Sequence, residues 1–278
     1  MHNVVVMNGN VRRNLRRGVY VIPTSLTVLN LFFGFRCMIN SIRAMQAITE
    51  GRGDLAVRFF EIACVSLFLA AVFDTFDGLI ARALGAASEF GKEYDSLADV
   101  CTFGAAPAIL VYSWGLHVLG NLGGGIAFLF LVAVSLRLAR FNVMTGKTDY
   151  RYFAGLPSPA GALTIASIVN YAPTPIVATD RRFAIVMLFV TVAVAFAMVS
   201  PIRYRSQKGL NLQKERSLMY FLLLALIVAV ASKWPKEFCF VLAIGYLTSG
   251  PLLRLWAIAF PPAHKTPPAE TLTPVEAP

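Results

Sequence analysis

The chain has 278 residues, 57% of them hydrophobic and only 14% charged. That balance excludes an ordinary soluble domain, and repeated long apolar runs put the chain in a bilayer. The formal net charge of +10 would suit nucleic acid, but no soluble segment carries a basic stripe with interleaved aromatics. We therefore expect no nucleic-acid partner and read the excess as basic flanks of membrane spans.

In chain order, residues 1–20 read as a cytoplasmic, basic, amphipathic segment lying on the membrane surface, with Arg12, Arg13, Arg16 and Arg17. The apolar run that follows is too long for a signal-peptide core, and no small-residue cleavage site follows cleanly. It is read as a retained first span. Residues 21–257 are expected to form one transmembrane domain, all-α and polytopic, with about eight transmembrane helices. The windows are roughly 21–42, 56–80, 94–116, 122–142, 157–173, 183–200, 217–232 and 238–257. The fifth is short and contains Pro157 and Pro159. Residues 258–278, rich in Pro, Thr and Ala, read as a disordered cytoplasmic tail.

Cys37, Cys64, Cys101 and Cys239 lie far apart in or beside apolar runs and read as small buried hydrophobes. His2, His117 and His264 show no ligand spacing. Gly120, Gly123, Gly124 and Gly125 open the fourth span; they suit a tight helix contact or dimer seam, or simply a flexible loop. Trp114, Trp234 and Trp256 lie near span ends and read as interfacial anchors.

Basic residues set the orientation. Arg82 and Lys92, Arg137 and Arg140, and Arg203, Arg205 and Lys208 fall on the same side as the basic N-terminus. The bias predicts both termini in the cytoplasm. It also brings acidic and basic residues together on one cytoplasm-facing region.

The acidic residues of that region are concentrated between Asp74 and Asp99. The segment begins Asp74-Thr75-Phe76-Asp77-Gly78-Leu79-Ile80-Ala81-Arg82 and ends Gly91-Lys92-Glu93-Tyr94-Asp95-Ser96-Leu97-Ala98-Asp99. A carboxylate at the end of an apolar span is costly without a partner. On helices, Asp74 and Asp77 share one face, and so do Asp95 and Asp99. Two such pairs facing each other make a four-carboxylate cluster, which needs a cation; Mg²⁺, Mn²⁺ and Ca²⁺ favour such oxygen ligands. Gly78, Ala81, Gly85, Ala86, Ala87, Ser88 and Gly91 supply small residues that let a bulky polar ligand approach the backbone. Arg82 offers bidentate hydrogen bonds to phosphate. Together these features suit a ligand containing a diphosphate. The bland alternative is four helix caps at solvated span ends. A different-class alternative is a cation channel or transporter, which would place its carboxylates near the bilayer midplane.

This segment resembles, position for position, the signature of the CDP-alcohol phosphotransferase family, D-x2-D-G-x2-A-R-x8-G-x3-D-x3-D. The fixed positions are Asp74, Asp77, Gly78, Ala81, Arg82, Gly91, Asp95 and Asp99. Further segments resemble the serine-accepting, membrane-integral bacterial branch. They are Leu29-Asn30-Leu31-Phe32-Phe33-Gly34-Phe35, Phe103-Gly104-Ala105-Ala106-Pro107-Ala108, Arg137-Leu138-Ala139-Arg140-Phe141-Asn142, Gly155-Leu156-Pro157-Ser158-Pro159-Ala160 and Met198-Val199-Ser200-Pro201-Ile202-Arg203-Tyr204. Pro23-Thr24 stands where many relatives have Pro-Asn.

The resemblance implies transfer of the phosphatidyl group of CDP-diacylglycerol to the hydroxyl of L-serine, with release of CMP. It implies Mg²⁺ or Mn²⁺ as cofactor, a homodimer, and a multi-pass protein of the bacterial cytoplasmic membrane with its active site facing the cytoplasm. Asp74, Asp77 and Asp95 would be the principal metal ligands; Asp99 would complete the site and act as general base. Asp74, Gly78, Ala81 and Arg82 would hold the CDP moiety, with Ser88 nearby. Arg137, Arg140 and Arg203 are the candidates for the serine carboxylate. A sister enzyme accepting glycerol 3-phosphate or inositol phosphate would carry the same signature.

Overall fold

A computed structural model describes residues 9–84, 88–144, 152–175, 181–200, 203–205 and 233–259. The apolar composition decides the secondary structure: with no water in the hydrocarbon layer, each backbone N–H and C=O must be satisfied within its own helix. Helix α1 runs Gly9–Thr49, α2 Gly53–Ala83 and α3 Glu89–Asp99. A π-helical turn, Val100–Ala105, joins α3 to α4, Ala106–Trp114. Then come α5, Asn121–Met144, α6, Ser158–Tyr171, α7, Arg181–Val199, and α8, Pro235–Ala259.

Five helical stretches among the described residues are long and apolar enough to cross a membrane. They are Thr24–Thr49, Gly53–Ala81, Glu89–Trp114, Asn121–Val143 and Arg181–Val199. The chain is a multi-pass membrane protein. The expectation of eight spans is corrected in two places. The first span extends to Thr49, and α1 is continuous from Gly9, so no break separates the basic segment from the span. The fifth window forms only the 14-residue α6. At 1.5 Å per residue that is about 21 Å, short of the roughly 30 Å hydrocarbon layer. The reason is local: Pro157 and Pro159 set the start of this helix, and α6 is the buried centre of the bundle rather than a lipid-facing rod. Its Gly161, Ala162, Ile165, Ala166 and Val169 are all buried. The seventh window, 217–232, lies outside the described residues, as do 1–8 and 260–278; the eighth falls within α8.

A second departure from an all-α chain is small. Strands β1, Tyr152–Ala154, and β2, Arg203–Arg205, pair antiparallel, with Ala154 opposite Arg203. Just past β1, Gly155 has φ +85°, and a Cβ there would sit 2.2 Å from the Met198 carbonyl oxygen. Only glycine turns the chain this closely against α7. Leu156 N–H then donates to the Ala197 carbonyl at 2.9 Å. This strip gathers the neighbouring ends of α5, α6 and α7.

Helices α1 and α2 pack through small residues at helical spacing. Cys37 and Ala44 meet a face of α2 bearing Phe60, Ala63, Cys64 and Leu67, all fully buried. Small side chains bring membrane helices close enough for dispersion to hold them. The outward faces stay apolar: Phe32, Phe35, Phe128, Phe189 and Phe196 are exposed to the lipid side. Cys37 and Cys64 are the small buried hydrophobes expected, but Cys101 is exposed and Cys239 half-buried. Trp114 corrects its reading as an interfacial anchor. It is 6% exposed, and its indole N–H donates to the Ala172 carbonyl at 2.9 Å, tying the ends of α4 and α6. Trp234 is exposed beneath the Lys233 ammonium. In the glycine run, Gly123 is used inside the chain: a Cβ would meet the Leu116 carbonyl oxygen at 1.9 Å.

Candidate active site

The two halves of the acidic segment sit on different helices. Asp74 and Asp77 are in the last turns of α2, and Asp95 and Asp99 on α3. The link between them is short. Ser88 caps α3, its Oγ accepting the Gly91 N–H at 3.0 Å. Such a cap stabilises a helix by about 1 kcal/mol, and here it sets where α3 begins. The exposed Ser88 oxygen expected to lie near CDP is thus engaged as the cap.

One carboxylate oxygen from each of Asp74, Asp95 and Asp99 lies within 4.8 Å of the others. Asp74 and Asp95 are half-buried and Asp99 is buried. Charges this close repel strongly in a partly dry site, and a divalent cation relieves the repulsion. The donor set fits one: all-oxygen ligands suit Mg²⁺ or Mn²⁺. Oxygens on one Mg²⁺ lie at most about 4 Å apart, so small side-chain rotations close the group. Asp77 is not one of the three. It is 7% exposed and accepts a hydrogen bond from the Thr27 hydroxyl of α1.

Helix α1 reaches Asp99 as well. Asn30, fully buried, donates from Nδ2 to Asp99 Oδ1 at 3.4 Å. Thr102 Oγ1 donates to the Asn30 carbonyl, also at 3.4 Å. Close approach is possible because Gly34 faces Thr102; a Cβ on Gly34 would lie 2.5 Å from Thr102 Oγ1. Thr27, Asn30 and Gly34 share one helical face. The π-turn begins directly after Asp99, and such turns recur at functional sites. Beneath the carboxylates, Ala71, Phe103 and Ala162 pack together, an apolar floor formed one turn from Asp74 and one turn from Asp99.

Of the basic candidates, Arg137 is drawn to the cluster. Its Nη1 donates to Ser158 Oγ at 2.8 Å, its charge acts on Asp99, and its Nε is buried without a partner among the described residues. Arg140 is exposed, and its Nη1 donates to the Val199 carbonyl at 3.4 Å, at the C-terminal end of α7. The backbone of Arg203 is in β2; its side chain and that of Arg82 lie outside the described residues. Gly78 is exposed and Ala81 half-buried on α2. Sequence reading assigned no role to Thr27, Asn30, Ser158 or Phe103. Only the resemblance carried by the segments around Asn30, Phe103 and Ser158 pointed toward them.

The CDP-alcohol phosphatidyltransferase family model matches residues 20–199. Curated relatives agree with it. The chain is 32% identical over 168 residues to a CDP-diacylglycerol–serine O-phosphatidyltransferase of Helicobacter pylori, covering 60% of this chain and 70% of that one. It is 34% identical over 194 residues to an archaetidylserine synthase of Methanothermobacter thermautotrophicus, covering 68% and 72%. It is 28% identical over 263 residues to a CDP-diacylglycerol–serine O-phosphatidyltransferase of Mycobacterium leprae, covering 91% and 82%.

Proposed function

The chain belongs to the CDP-alcohol phosphatidyltransferase family, and on that premise we propose that it is a phosphatidylserine synthase. It transfers the phosphatidyl group of CDP-diacylglycerol to the hydroxyl of L-serine and releases CMP. The observation that carries this reading is the convergence of Asp74, Asp95 and Asp99 from two helices onto one cation-sized site. The names of the relatives supply serine as acceptor.

Asp74, Asp77, Asp95 and Asp99 would hold Mg²⁺ or Mn²⁺, which would supply the positive charge that polarises phosphorus and stabilises a leaving phosphate. Gly78 and Ala81 leave room for the CDP moiety, and Arg82 pairs with its phosphates. Asp99 accepts the proton of the serine hydroxyl. The serine oxygen forms a bond to the phosphorus that carries diacylglycerol. The bond from that phosphorus to the CMP oxygen breaks, CMP leaves with the electron pair, and Asp99 passes its proton to solvent.

Arg137 takes the serine carboxylate. What supports it over Arg140 is position: its charge acts on Asp99, and its buried Nε has no partner among the described residues. Arg140 is engaged with the end of α7. The floor of Ala71, Phe103 and Ala162 keeps water from the membrane side of the reacting groups, while the donor's acyl chains stay in the bilayer. The basic flanks support a site facing the cytoplasm of a bacterial inner membrane, and the family resemblance supports a homodimer.

The test is purified protein with CDP-diacylglycerol, Mn²⁺ and a panel of acceptors, scored by CMP release. Serine should be the best acceptor. Ethanolamine, which has the hydroxyl and amine but no carboxylate, should be very poor, because a site built to pair a charged group rejects analogues lacking it. Glycerol 3-phosphate or inositol phosphate outperforming serine would overturn the acceptor and leave the family intact.

A further inference from the structure

The described carboxylates of the signature lie on α2 and α3, yet two of them are held by a third helix that carries none of the signature. On α1, the Thr27 hydroxyl donates to Asp77, and one turn on, the Asn30 amide donates to Asp99 Oδ1 at 3.4 Å. Both donors are almost completely buried, Thr27 at 3% exposed and Asn30 at 0%. The next turn of the same face, Gly34, presses against Thr102, just beyond Asp99 at the π-turn. Thr102 in turn donates to the Asn30 carbonyl. The contact is therefore fixed from both sides, and α1 cannot slide without moving both carboxylates.

A carboxylate has two oxygens and a freely turning terminal torsion. A buried donor on one oxygen selects which way the other points. We propose that Thr27 and Asn30 are positioning residues of the metal site: α1 is a template that holds Asp77 and Asp99 in ligand geometry before the ion arrives. The inference rests on the reading that the aspartates bind a divalent cation. Nothing in the sequence signature requires it, since α1 lies outside residues 74–99.

Outer partners of metal ligands change affinity or activity by about 10–100-fold when lost. The experiment measures Mn²⁺ binding directly, by electron paramagnetic resonance of the free ion, on chelator-stripped, detergent-solubilised full-length protein. The variants are Thr27→Val, Thr27→Ser, Asn30→Leu and Asp74→Asn. Thr27→Val keeps the shape and loses the donor, whereas Thr27→Ser keeps the donor. We expect Thr27→Val and Asn30→Leu each to weaken Mn²⁺ binding about 10-fold or more, with Thr27→Ser close to wild type. A purely packing role would give the opposite order for the two Thr27 variants. If Thr27→Val and Asn30→Leu bind Mn²⁺ as wild type does while Asp74→Asn has lost it, the template role is overturned and the metal site stands. If Asp74→Asn also binds as wild type does, the metal reading itself has failed.

Discussion

Arg137, on the fourth candidate span, donates from Nη1 to the hydroxyl of Ser158 at 2.8 Å, in the first turn of the short central helix α6. Ser158 is 1% exposed, so this bond fixes the plane of the guanidinium and leaves Nε as its buried, unpaired donor among the described residues. A buried donor without a partner costs roughly 1–3 kcal/mol, which the carboxylate of a substrate would recover.

From this follows the first prediction. Arg137→Ala should raise the KM for serine by about 10–100-fold, in line with loss of a charged hydrogen bond worth about 1.5–3 kcal/mol, with little change in the KM for CDP-diacylglycerol. Arg137→Lys should recover only part of the loss, because a lysine cannot keep the Ser158 bond and the second donor in one plane. Steady-state kinetics with each substrate varied in turn decides it. Equal rises in both KM values would move the acceptor site elsewhere.

The second concerns the metal. Three carboxylate oxygens within 4.8 Å of one another should not support turnover alone. Excess EDTA should abolish CMP release, and added Mg²⁺ or Mn²⁺ should restore it. Full activity in EDTA would remove the cation from the mechanism.

The third separates roles inside the cluster. Asp99→Asn should lower kcat by about 10²–10⁴-fold, the usual contribution of a general base, with a smaller effect on donor affinity. Asp74→Asn or Asp77→Asn should weaken metal and donor binding together. Near-normal kcat for Asp99→Asn at saturating metal would assign the base to another group.

The fourth concerns packing. A Cβ on Gly34 would meet Thr102 Oγ1 at 2.5 Å and its Cα at 2.8 Å. Gly34→Ala should therefore destabilise the protein by about 1–3 kcal/mol, seen as a lower Tm in detergent. Adding Thr102→Ala should restore little, because the backbone Cα remains in the way. An unchanged Tm for Gly34→Ala would mean that α1 and the π-turn are free to separate.

Much of this protein was legible in its residues. The apolar runs prescribe helices, because a bilayer leaves the backbone no other partner. The spacing of Asp74 with Asp77, and of Asp95 with Asp99, puts each pair on one helix face. The signature they complete led to the family that the comparisons show. What spacing along one chain does not carry is the relation between helices. The sequence offered three arginines equally; the tertiary structure set Arg137 against Ser158 of α6 and turned Arg140 to the end of α7. It grouped Asp74, Asp95 and Asp99 within 4.8 Å of one another and set Asp77 against the Thr27 hydroxyl of α1. It shortened the fifth span to α6, since Pro157 and Pro159 fix its start and its small residues fit the centre of the bundle. It also made α1 part of the site. Asn30 and Asp99 are 69 residues apart in sequence, and only helix packing makes them neighbours. Local periodicity determines which face a side chain occupies, and the packed bundle decides what that face meets.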